Sequence, residues 1–209
     1  MRTRLLILAT MVLLTSLMAC SRRFDPQPSC NFVQNGDLQR VSWNQSLPVK
    51  LYVHRSMPLE AHPQTESVLR EAVEDWNRKA GREVFRLEAF QVGGDNAPKK
   101  DGYSMIYWMD TWEENKNLEQ ARTTIYWSGS QIYEADIRIN AKNHTFYVGH
   151  ETSFSGVDFK SLIVHELGHA LGLAHNAQPT SVMNVTLNEG IDRRAINKID
   201  EDSIHCEYN

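Results

Sequence analysis

Late in the chain, His165, Glu166, His169 and His175 stand in the run H-E-L-G-H-A-L-G-L-A-H. Imidazole nitrogens bind borderline transition metals, and a carboxylate beside the first of them can take a proton from water. His165 and His169 are four residues apart. On a helix they project from one face, a turn apart, and can reach a single ion. His175 cannot share that face of a straight helix, so the chain must bend before it. Gly172 stands where the bend is needed, because glycine accepts the left-handed conformation that ends helices. Three histidine ligands leave a coordination position open, as in a catalytic zinc site. Glu166 can then contact the water without ligating the metal. H-E-x-x-H alone recurs by chance about once per 10⁴ to 10⁵ positions, and the added Gly and His make the full pattern roughly several hundred-fold rarer.

The elements that must hold these residues are visible as hydrophobic periodicity. Residues 159–173 read as a helix, with Leu162, Ile163, Leu167, Ala170 and Leu171 at helical spacing and Asp158 as its cap. Val49, Leu51 and Val53 alternate with polar residues and predict a strand. Residues 67–80 predict an amphipathic helix, with Val68, Leu69, Ala72, Val73 and Trp76 on one side and Gly81 as the stop. Val84, Phe85 and Leu87 predict a second strand, and residues 105–109 a third. Residues 93–102 read as a polar loop and the charged run 112–119 as a solvated face. Strands alternating with helices, then two late helices, indicate an α/β or α+β architecture. The net charge is -4 with the basic residues dispersed, which gives no sign of nucleic-acid binding.

The long zinc motif, followed by Ser181-Val182-Met183-Asn184, resembles the metzincin zinc endopeptidases, and within them the matrixin-like branch. The resemblance implies a twisted mixed sheet, an active-site helix and a small C-terminal subdomain ending in a helix. It makes Met183 the methionine of the tight turn beneath the metal. Residues 121–127, a Ser-Gly turn and residues 134–140 resemble the paired strands before the active-site helix, and residues 199–208 the C-terminal helix. The likeness runs from about Trp43 to the end. It implies one catalytic zinc, Glu166 as general base, and a protein or peptide substrate laid along the strand near 122–127, where Trp127 could touch it. Many matrixins hold a second, structural zinc through histidines on these strands. None is present here, so that site is not carried over. Calcium is common in the family, but these residues give it no specific support. Asn184 stands where relatives often have tyrosine, and the family's cysteine switch has no counterpart motif. The pocket beside the cleaved bond is expected from residues 177–188.

Residues 1–19 read as a targeting segment: Arg2 and Arg4, then an apolar stretch too short to span a membrane comfortably. Its end, Leu17-Met18-Ala19-Cys20, resembles the lipobox of bacterial lipoproteins, which implies acylation of Cys20 and a membrane anchor. Ser21, rather than Asp, resembles outer-membrane sorting. The expected location is the bacterial envelope, as an outer-membrane lipoprotein on its periplasmic or surface face. The expected organisation is a signal peptide over 1–19, lipidated Cys20 and a tether over 20–40, and a catalytic domain over 41–209, acting as a monomer. With Cys20 acylated, Cys30 and Cys206 remain. In an oxidising compartment they favour a disulfide. Alternatively, Cys30 ligates the zinc and keeps the enzyme latent. Two further functional readings stay open. One is a zinc-containing binding or adhesion lipoprotein without turnover, for which Glu166 has no use; the other is a maturation peptidase restricted to one partner.

Overall fold

The computed structural model describes residues 25–149 and 155–209. A five-stranded sheet is built from β1 (Val49–His54), β2 (Phe85–Val92), β3 (Ser104–Met109), β4 (Ala121–Ser128) and β5 (Gln131–Asn140), in the order β2-β1-β3-β5-β4. β1 runs parallel to β2 and β3, and β3 runs parallel to β5. β4 returns antiparallel to β5 through the turn at Gly129 and forms one edge of the sheet. A short parallel pair, β6 (Phe146–Tyr147) and β7 (Val157–Asp158), leads into the active-site helix. The alternation that predicted the strands is the period-two exposure of a sheet with two different faces.

Helix α1 (Gln64–Ala80) crosses one face and buries Val68, Leu69, Ala72, Val73 and Trp76, the stripe expected from the sequence. It starts three residues before the predicted Ser67 and stops at Gly81, whose φ of 66° is left-handed. α2 (Phe159–Ala170) packs between α1 and the β4–β5 end of the sheet. Two indole donors fasten it: Trp76 Nε1 donates to Val164 O at 2.9 Å and Trp43 Nε1 to Ala170 O at 2.7 Å. α3 (Lys198–Tyr208) closes the chain, with a capping box between Asn197 and Asp200. The sheet's other face carries a smaller cluster of Met105, Tyr107, Met109 and Trp112. The buried Asp136 Oδ1 on that face accepts from the Met105 amide at 3.0 Å.

Three expectations change. α2 ends at Ala170, not Leu173, because the chain leaves the helix through a Schellman motif. Gly172 N–H donates to His169 O at 2.9 Å and Leu173 N–H to Gly168 O at 3.0 Å. Residues 25–40 are not a loose tether. Phe32 is buried, Phe32 and Leu173 form an antiparallel bridge, and Arg40 pairs with Glu207 on α3. Their apolar members find a place on the domain, which outweighs the polar composition around them. Residues 112–119 are not simply solvated: Trp112 is buried, with the Arg138 guanidinium 4.7 Å from its ring centroid. Residues 1–19 and Cys20 lie outside the described residues.

Candidate active site

α2 presents His165 and His169 one turn apart, as its spacing requires. Asp158 caps its start, accepting from the Ser161 amide at 2.8 Å. Burial pushes the Asp158 carboxyl up, but the Arg194 guanidinium and the Ser161 donors outweigh this and hold it below its ordinary value. At the other end Gly172 has φ 100°, and a Cβ there would run into the Val41 carbonyl and lie 3.2 Å from Phe32. No other residue turns this corner cheaply, and the turn returns His175 to the metal side of α2.

His169 Nε2 lies 3.0 Å from His165 Nε2 and 3.1 Å from His175 Nε2. Nitrogens bonded tetrahedrally to zinc at ~2.0–2.1 Å stand ~3.3 Å apart, so the three are close to ligating positions. His165 Nδ1 donates to Val182 O and His169 Nδ1 to Leu173 O, both at 2.7 Å. Those bonds fix the tautomer and leave the Nε2 lone pairs facing one another. Burial lowers both imidazoles to about 4, and lowers His175 as well, so the rings are neutral at neutral pH. Three unprotonated nitrogens turned toward one point fit a cation.

Glu166 is buried beside them. Thr123 Oγ1, on β4, donates to Glu166 Oε2 at 2.6 Å. Burial raises the Glu166 carboxyl above its ordinary value, while His169 and the Thr123 hydroxyl pull it back. Met183 is fully buried under α2. A Cβ on Gly168 would collide with its sulfur and lie 3.1 Å from the Trp76 ring, so the helix and the turn can meet only at a glycine. The turn is tied to α3. The buried Asp200 accepts from the Ser181 hydroxyl and, at 3.0 Å, from the Val182 amide. Asp200 therefore sets the carbonyl that orients His165.

The three histidines, Glu166 and Thr123 line a cleft of about 880 Å³. One wall is the β4 edge at Ala121–Thr123 and Ile125 with Leu118–Gln120 before it; the opposite wall is Asn184–Asn188, and Val33 comes from the N-terminal segment. Of the expected pocket residues 177–188, only 184–188 line it, and Trp127 does not. Cys30 is joined to Cys206, with Cα atoms 6.2 Å apart. Among the described residues, the metal-ready cluster consists of the three histidines without a thiol. Thr123, Asp200 and Val33 were not singled out from the sequence. Each acts across a long chain separation, and no local pattern marks them.

The sequence profile of the Matrixin family matches residues 42–209. The chain belongs to the matrixin family. A search of curated proteins finds no match. Matrixin membership agrees with the mixed sheet, the active-site helix and the C-terminal helix, and it points to a zinc-dependent peptidase acting on proteins or peptides. The histidine cluster fits the zinc that the family implies.

Proposed function

We propose that this matrixin is a zinc endopeptidase in which His165, His169 and His175 hold the metal and Glu166 is the general base. One observation carries the reading: three neutral Nε2 atoms converge at the floor of a cleft, beside a buried carboxylate held by Thr123. Zinc held there would supply a Lewis acid that polarises the scissile carbonyl and lowers the pKa of water to about 7. Thr123 occupies one Glu166 oxygen and leaves the other to take the proton of the attacking water. Glu166 then delivers that proton to the leaving amine. Among the described residues β4 is an edge strand, and it lines the cleft, so an extended substrate can add to the sheet as a further strand. Met183 packs the floor and takes no part in proton transfer.

The test is hydrolysis of casein and of a mixed peptide library by the full-length protein, with and without a chelator, alongside metal analysis. Chelator-sensitive cleavage with about one zinc per chain is expected, since one three-histidine cluster is present. Zinc uptake without cleavage of any peptide would favour a binding lipoprotein.

We also propose that the chain is exported, acylated at Cys20 and anchored as a monomer in the bacterial envelope. The Leu17-Met18-Ala19-Cys20 run supports this, and the Cys30–Cys206 disulfide suits an oxidising compartment. Wild type should partition with membranes and Cys20→Ser should not. A wild-type protein beginning at another residue and free of acyl groups would refute the anchor.

A further inference from the structure

Two of the three histidines are oriented by carbonyl partners on Nδ1. Among the described residues, His175 has no such partner. It also lies beyond the end of α2, so its place depends on the backbone that carries it. That backbone is gripped by the N-terminal segment. Asn31 O accepts from the Ala174 amide at 2.7 Å, and Asn31 Nδ2 donates to Ala174 O at 3.2 Å. One residue thus satisfies both polar backbone groups of the residue next to His175. Val33 N–H donates to Gly172 O at 2.9 Å and continues the pairing.

The grip is held in an unusual backbone. Cys30 and Asn31 have φ of 47° and 65°, in the left-handed region. Asparagine tolerates that region better than most residues, whereas cysteine there needs tertiary restraint. The restraints are the bond from Cys30 to Cys206 on α3 and the buried Phe32, which meets the Tyr208 ring edge-on at 5.7 Å.

We propose that Asn31 is a positioning residue for the third metal ligand, and that the Cys30–Cys206 disulfide acts on the metal site by holding Asn31 against Ala174. The inference rests on the zinc reading above. It makes a segment outside the family match part of the active site. Partners that orient a metal ligand typically change metal affinity by about 10- to 100-fold.

The test is zinc affinity of the full-length protein by competition with a chromophoric chelator, with melting temperatures measured in parallel. Asn31→Gly keeps the left-handed backbone accessible and removes only the side-chain donor; zinc affinity should fall about five- to tenfold. The double variant Cys30→Ser/Cys206→Ser should lose about 10- to 100-fold. Val53→Ala, a core truncation in β1 away from the segment, should lower the melting temperature while holding zinc within about twofold of wild type, because it leaves the ligands' partners intact. Should the double variant fail to fold, Asn31→Gly still decides. If Asn31→Gly binds zinc as tightly as wild type, or if Val53→Ala weakens binding equally at the same loss of melting temperature, the positioning role is wrong. A wild-type protein that takes up no zinc would instead overturn the zinc reading, and this inference with it.

Discussion

Replacing Asp200 tests the link between the C-terminal helix and the metal site. Asp200→Ala removes an acceptor from the Ser181 hydroxyl, from the buried Val182 amide at 3.0 Å and from the Asn197 amide at 3.3 Å. A hydrogen bond to a charged group contributes about 1.5–3 kcal/mol, and a buried donor left without a partner costs about as much. The Ser181 hydroxyl can rotate to another acceptor and the Asn197 contact is long, so about 3–4 kcal/mol is expected rather than the full sum. A domain of this size loses about 2–4 °C per kcal/mol, which gives a melting temperature lower by roughly 10 °C. Asp200→Asn can turn its carbonyl to the amides and donate to Ser181, so its loss should be about half as large. The assay is thermal unfolding of the zinc-loaded protein followed by circular dichroism, with zinc affinity measured on both variants. Because Val182 O orients His165, affinity should fall in the same order. An Asp200→Ala protein melting within ~2 °C of wild type, with unchanged zinc affinity, would refute the claim that Asp200 supports the turn.

Glu166→Gln should keep its fold and its zinc while peptide hydrolysis falls at least ~10²-fold, as the loss of a general base requires; wild-type turnover in that variant would end the proposed mechanism. Gly168→Ala should destabilise the protein by about 1–3 kcal/mol, since the new methyl meets the Met183 sulfur and the Trp76 ring, and denaturant titration reads this directly. Burial, with the charges of Glu134 and Asp101, raises Asp136 from 3.8 to about 7. The folded state therefore holds that proton more tightly than the unfolded chain. The stability this contributes is complete below pH ~4 and is lost as pH rises through about 7. Asp136→Asn keeps an acceptor for Met105 and should abolish that decline, so an unchanged slope of stability against pH would exclude Asp136 as its source.

The parts legible in the sequence were those written locally. His165 and His169 announce their shared face by a four-residue spacing, Asp158 sits one residue before its helix, and Val49, Leu51 and Val53 alternate as a half-buried strand must. Gly172 was recognisable because a third ligand six residues after His169 demands a turn. What stayed hidden depends on contacts between distant positions. Thr123 reaches Glu166 across 43 residues and Asn31 reaches Ala174 across 143. Nothing in the neighbourhood of either residue announces such a partner. Composition misled over residues 25–40, where prolines and polar residues suggested a tether. Phe32, inside that stretch, buries its ring against the turn at Gly172, and Val41 just beyond it is buried with its carbonyl against the same turn.

The attachment of that segment to the domain has a consequence for reach. Gln27 is already bound to Leu38 and Gln34, ahead of the bond at Cys30. Under the proposed anchor at Cys20, the seven residue steps from there to Gln27 can extend by no more than about 25 Å. A long linker would let a protease sweep a wide volume. On so short a leash, the cleft would patrol a thin layer beside the bilayer, and its choice of substrate would rest on what is brought to that layer as much as on the sequence it cuts.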